Sequence, residues 1–145
     1  MQVATNRLWE LLREDDARYH LRVAELLQKL HNLAPNDGMC ENVLCRGLSS
    51  DNAETQIEAQ KKFAVLWHLL RDIKQRPQAT MRWFDRCLFQ MLDCLTKDSG
   101  PHRAISQFWL EHSLSRGDLS RILEPTLIVL LHPDTARVGI SHVSM

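Results

Sequence analysis

Three features of the sequence predict an all-α chain. Apolar residues recur at steps of three and four, the spacing that places them on one face of a helix. Five glycines and five prolines punctuate the 145 residues, and they divide the chain into helical lengths instead of strands. Strand potential is confined to the last ten residues, at Val138, Ile140 and Val143. The chain is thus expected to form about six or seven helices of roughly 10–22 residues, joined by short turns that make successive helices antiparallel neighbours.

In chain order, Leu8, Trp9, Leu11 and Leu12 form a first amphipathic stretch, and Asp15 or Asp16 caps the helix after it. Leu21, Val23, Ala24, Leu26, Leu27, Leu30 and Leu33 line one face of that second helix, which ends before Pro35 because proline disfavours a helical residue ahead of it. Pro35-Asn36-Asp37-Gly38 is a turn. Cys40 to Leu48 is a short helix that Gly47 and the Ser49-Ser50-Asp51-Asn52 run close, and the run supplies the cap for its successor. From Ala53 to Lys74 there is neither Gly nor Pro; Glu54 and Glu58 at the start and Arg71 and Lys74 at the end complement the helix dipole. Phe63 to Leu70 is apolar on nearly every side, so two neighbours must cover it. Pro77 breaks the chain and Thr80 caps a helix over Met81–Lys97, whose stripe is Phe84, Cys87, Leu88, Met91, Leu92 and Leu95. Pro101 opens the next helix at its first position; Ile105, Phe108, Trp109 and Leu114 mark it, and Gly117 ends it. Asp118 caps the last, where Leu119, Ile122 and Leu123 lead into a buried run through Leu131 and Pro125 kinks or splits the pattern.

Helix pairs at 7–33, 38–74, 81–115 and 118–131 loosely match the armadillo or HEAT period of about 40–47 residues, although no sequence repeat is visible. The architecture expected is an armadillo- or HEAT-like α-solenoid segment or an irregular helical bundle. Residues 1–145 read as one helical segment. Helix begins almost at once and GISHVSM ends apolar without a polar cap, which predicts a piece of a longer helical repeat region.

Eighteen Lys plus Arg balance eighteen Asp plus Glu. The balance holds in each half, with ten basic and eleven acidic residues over 1–75 and eight and seven over 76–145. That argues against a nucleic-acid partner, which would call for a basic face. The longest aliphatic run, Leu127 to Leu131, is far below the roughly 20 residues a membrane-spanning helix needs. The N-terminus lacks the basic, apolar and small-residue order of a secretory signal, so a cytosolic setting is expected.

Cys40 and Cys45, with His31 upstream, and the later Cys87 and Cys94 raise a zinc reading, but the second pair is too widely spaced for a structural site. The four cysteines are read as reduced, buried thiols. No G-x-S-x-G, phosphate loop, EF-hand or H-E-x-x-H is present. His68 with Asp72, and Asp16 with His20, are read as local contacts. No catalytic, cofactor or metal residue is assigned. Trp9, Trp67, Trp83 and Trp109 fall on different helices and are read as core anchors. Lys61-Lys62 and the Arg82, Arg86 pair lie near Glu58 and Asp85 and are read as solvated helix faces.

Phe63–Asp72 (FAVLWHLLRD), Phe84–Leu95 (FDRCLFQMLDCL), Trp109-Leu110, Gly117–Pro125 (GDLSRILEP) and Leu130–Val138 (LLHPDTARV) occur together and in order. This set resembles the Dopey family of large trafficking proteins over residues 60–143, with weaker similarity over 1–59, mainly from Leu21 to Cys45. The cysteines of FDRCLFQMLDCL stand where relatives are expected to have small or polar residues, a departure that bears on packing more than on function. The resemblance implies a non-enzymatic, helical scaffold of endosome-to-Golgi transport and Golgi organisation, cytosolic and peripheral on Golgi, trans-Golgi network and endosome membranes. It also implies protein partners: a large Arf-exchange-factor-like scaffold, aminophospholipid flippases and kinesin light chain. The alternative reading is a small self-contained helical protein-binding domain.

Overall fold

The computed structural model describes residues 2–33, 38–72, 84–96 and 100–133. Among them are seven α-helices and no strand: α1 Gln2–Glu10, α2 His20–Leu33, α3 Met39–Leu48, α4 Ala53–Asp72, α5 Asp85–Asp93, α6 Pro101–Ser115 and α7 Leu119–Leu130. Two 3₁₀ segments, Glu14–Tyr19 and Cys94–Thr96, precede α2 and extend α5. Trp83, Arg82, Pro77, Thr80 and the strand-prone residues near the C-terminus lie outside the described residues.

The order of contacts separates a solenoid from an irregular bundle. α1 packs on α3, α3 on α5 and α5 on α7; α2 packs on α4 and α4 on α6. Odd helices therefore form one layer and even helices the other, and α1 with α2 and α3 with α4 pair across the layers. This is the stacking of a helical solenoid, in which each unit buries its apolar face against its neighbours.

α4 sits at the centre. Phe63, Leu66, Trp67 and Leu70 are all buried, covered by α2, α3 and α6 as the all-round apolar run of this helix requires. Phe63 and Trp67 meet Phe84 and Trp109 in an aromatic cluster whose ring centroids lie 5.4–5.9 Å apart, mostly edge to face, the arrangement that ring quadrupoles favour. Trp9 is also buried, so the three described tryptophans are core anchors.

Several terminal signals act as read. Asn52 Oδ1 accepts the Thr55 amide at 3.1 Å and caps α4. Pro101 occupies the first turn of α6, and Gly117 leaves that helix with φ +82°, where a side chain would be strained.

Other readings are corrected. Asp15 and Asp16 lie inside the 3₁₀ segment, not ahead of a helix. Phe84 has φ −122° and is not helical, so α5 begins at Asp85; the expected start at Met81 lies outside the described residues. α3 ends at Leu48 with Ser49 at its C-cap, as read, but Gly47 sits inside its last turn and not beyond it. A Cβ there would stand 2.9 Å from Ala59 Cβ, so this glycine lets α3 and α4 approach closely. On α6 the buried stripe is Ser106, Trp109 and Ser113, whereas Phe108 and Leu114 are 73% and 46% exposed. Gln60 of α4 explains the rotation. It is fully buried, donates to Ser106 Oγ at 2.9 Å and the His102 carbonyl at 3.0 Å, and holds the small-residue face of α6 inward. α7 runs unbroken through Pro125, and its run from Leu127 to Leu131 is 44–77% exposed, not buried.

Candidate protein-docking groove

An open concavity lies between α4 and α6, with Leu12–Asp15 also lining it. Its volume is about 940 Å³. Its floor is apolar, with Ile57 and Val65 from α4 facing Ile105 and Phe108 from α6. Phe108 owes its position to the inward turn of Ser106 and Ser113, which leaves its ring on the solvent side of α6.

The rim near the 3₁₀ segment is charged and internally paired. Glu58 accepts Arg13 Nε at 2.9 Å and Lys62 Nζ at 2.9 Å, and Lys61 reaches Glu14 at 3.3 Å. The hydrogen bond from Lys62, opposed by burial and helped by Arg13, holds the Glu58 carboxyl below its ordinary range. Lys62 corrects the expected solvated face: its side chain is only 5% exposed, and its ammonium lies 5.2 Å from the centre of the Trp9 ring. A buried ammonium requires such partners.

At the opposite end, His68 and His112 meet with ring centroids 4.4 Å apart and planes inclined at 59°. Arg71 donates to His68 Nδ1 at 2.8 Å, which leaves the proton of a neutral His68 on Nε2, directed at His112 Nδ1 3.1 Å away. Burial, then the neighbouring His112 and Arg71, lowers the His68 pKa to about 4, so His68 is neutral at neutral pH. His20 bonds to the Arg13 carbonyl at 2.7 Å.

Behind the histidines, Asp118 gathers donors from three residues. Trp67 Nε1 reaches it at 3.0 Å, Arg71 Nε at 2.7 Å and Arg121 Nη1 at 3.3 Å, while a second Arg71 nitrogen pairs with Oδ2. The Arg121 guanidinium also lies 3.8 Å from the Trp67 ring centre. Burial alone would raise the Asp118 carboxyl; Arg71, Arg121 and Trp67 outweigh it, and the group titrates below its usual range. The position is that of a helix cap, but the side chain makes no capping bond. It fastens the first turn of α7 to α4 instead, a role that no local sequence signal reveals.

The cysteines are also arranged differently from their spacing. Cys40 and Cys94 are buried, and Cys40 directs its thiol at the Leu27 carbonyl 3.8 Å away. Cys45 is half-buried and meets Cys87, 42 residues later, with a sulfur separation of 3.1 Å. Neither sequence-adjacent pair forms a cluster with His31 among the described residues.

Two layers of antiparallel helices with an apolar groove between successive units define a helical-repeat protein of the kind that holds other proteins. The family described as DOP1B-like TPR repeats matches residues 1–120, and the chain belongs to this Dopey family. TPR units are helix pairs of about 34 residues, shorter than armadillo or HEAT units. Protein DOP1B of Mus musculus is 42% identical over 134 residues, and Protein DOP1B of Xenopus laevis is 40% identical over 134 residues; each alignment covers 92% of this chain. Protein DOP1 homolog of Drosophila melanogaster is 39% identical over 106 residues, 70% of the chain. The chain spans 6% of the length of the mouse and frog proteins and 4% of the fly protein. No solved structure matches it. Among the described residues no helix is long and apolar enough to cross a membrane.

Proposed function

We propose that this chain is a scaffold segment of a Dopey-like protein, with no catalytic role, and that its α4–α6 groove docks a partner's amphipathic helix or extended segment. The exposed Phe108 ring over an apolar floor is the observation that carries the reading. An aromatic side chain 73% exposed beside a concavity of this size is the form of a docking anchor. The paired rim charges add orientation more than attraction.

The cellular process is inferred from kinship. We infer that the parent acts in endosome-to-Golgi vesicular transport and Golgi organisation, peripheral on Golgi, trans-Golgi network and endosome membranes from the cytosolic side. A large Arf-exchange-factor-like scaffold, aminophospholipid flippases and kinesin light chain are the partners to test first. The test uses the tagged full-length parent, imaged against Golgi and endosome markers. The intact protein is expected on those membranes, and Phe108→Asp, a change on an exposed position, is expected to reduce co-purification of a partner without unfolding the chain. A parent that shows no Golgi or endosomal association sinks the trafficking reading; unchanged co-purification of every partner with Phe108→Asp sinks the groove.

A further inference from the structure

α3 places Glu41 and Cys45 one turn apart on the side that faces α5, and α5 brings Cys87 against them. The two thiols are free, and their sulfurs lie 3.1 Å apart, within about 1 Å of a disulfide bond length. Arg86 is held over the pair by Glu41, with its backbone amide and Nε at 2.9 and 3.2 Å from Oε1, and by Asn42 Oδ1 at 2.6 Å from Nη2. A Glu41–Arg86 ion pair thus stands beside two touching thiols from different helices.

The two cysteines are not equivalent. Cys45 is half-buried and reachable from solvent, whereas Cys87 is fully buried. The hydrogen bond between the two sulfurs lowers the Cys45 pKa against burial and the Glu41 charge, with the smallest contribution from Arg86; the same bond, and then burial, pushes the Cys87 thiol up. Cys45, reachable from solvent and lowered in pKa, is the one placed to attack, and the buried Cys87 in contact with it is placed to resolve. By contrast, burial raises the Cys40 thiol.

We propose that Cys45 and Cys87 are a reversible oxidation site, at which a hydroperoxide converts the pair into a disulfide that links α3 to α5. The Cys45 thiolate attacks the terminal peroxide oxygen, the O–O bond breaks, and the departing oxygen takes a proton from solvent and leaves as water or an alcohol. Cys87 Sγ then attacks the Cys45 sulfenic acid; the S–O bond breaks and the hydroxyl leaves as water with the Cys87 proton. Two thiols lose two electrons to one peroxide, and a dithiol reductant reverses the change. Because α3 and α5 are successive helices of one layer, the bond would pin neighbouring repeats together.

The same three side chains, whose ligand atoms lie within 4.8 Å of one another, have the makings of a metal site. Two observations favour oxidation. The carboxylate is already engaged by Arg86, whose charge opposes a dication, and three ligands are one short of a closed structural zinc site.

The experiment treats the reduced full-length chain with equimolar hydrogen peroxide, alkylates the remaining thiols, and maps linkages by mass spectrometry of a non-reducing digest. The expected result is a Cys45–Cys87 link, alkylated Cys40 and Cys94, and reversal by dithiothreitol. With Cys87→Ala, Cys45 is expected to stop as a dimedone-trappable sulfenic acid; with Cys45→Ser, Cys87 is expected to stay reduced. Arg86→Gln is expected to slow disulfide formation roughly three- to tenfold. Linkage through Cys40 or Cys94, failure of wild-type Cys45 to oxidise ahead of Cys40 and Cys94, or one equivalent of zinc retained by the reduced wild-type pair in equilibrium dialysis would overturn the proposal.

Discussion

α4 and α7 carry equally apolar stretches, yet they end in opposite environments. Phe63 to Leu70 is enclosed by α2, α3 and α6, with Leu66 and Leu70 at 0% and 1% exposure. Leu127 to Leu131 lies bare among the described residues, with Leu130 at 56% and Leu131 at 77%. The difference is one of position in the stack. α4 has neighbours on three sides, whereas α7 meets α5 and, through Asp118 and Arg121, the Trp67 edge of α4. An apolar run drives burial only where another element supplies the matching face.

The sharpest way to break this comparison is at the tie between the two helices. Asp118→Ala removes the carboxylate and leaves two guanidiniums in a buried site, and is expected to cost about 3–5 kcal/mol in urea unfolding. A loss below about 1 kcal/mol would mean that α7 is not fastened to α4 through this group. Next come matched truncations of the two apolar runs. Leu66→Ala is expected to cost about 2–5 kcal/mol because it opens a cavity in a closed core, whereas Leu130→Ala should stay within about 0.5 kcal/mol. Equal losses would show that α7 is as well covered as α4.

The α3–α4 seam gives a smaller effect. Gly47→Ala places a methyl group 2.9 Å from Ala59 Cβ and is expected to cost about 1–3 kcal/mol through overpacking, more than the helix propensity gained. A stabilised Gly47→Ala variant would show that the two helices have room to separate.

The smallest expected effect is on pH. The folded-state pKa of His68 is lowered from 6.5 to about 4, so its neutral form favours the folded state. That contribution is complete above pH 6.5 and is lost as pH falls towards 4. Asp118, also lowered, adds acid sensitivity below the ordinary carboxylate range. Melting temperature is expected to fall from pH 6.5 to 4 in the wild type and less steeply in His68→Gln; identical profiles would remove His68 from the account.

Much of the fold was legible. The Asn52 cap, Pro101, Gly117 and the all-round apolarity of α4 are local or periodic signals, and each operates in the structure. Readings failed where a side chain had a distant partner. Asp118 looked like a cap because it precedes a helix, but Trp67 and Arg71 lie 51 and 47 residues away. Lys62 looked solvated because Lys61 and Glu58 are charged, but the Trp9 ring and Glu10 cover it. Gly47 marked the end of α3, but that it also admits Ala59 depends on the neighbouring helix. The groove was illegible because it depends on the rotation of α6, which Gln60 fixes through Ser106.

By itself the sequence determined the helical class, the helix-pair spacing, the absence of any local catalytic signature and the kinship with Dopey proteins, since periodicity, punctuation and ordered motifs are properties of neighbouring residues. Tertiary structure alone decided which apolar faces are covered, that odd and even helices form two layers, that Phe108 faces a groove and that Cys45 meets Cys87. Those outcomes depend on contacts between residues on different helices, such as Cys45 with Cys87 and Gln60 with Ser106, whose energies no local pattern encodes.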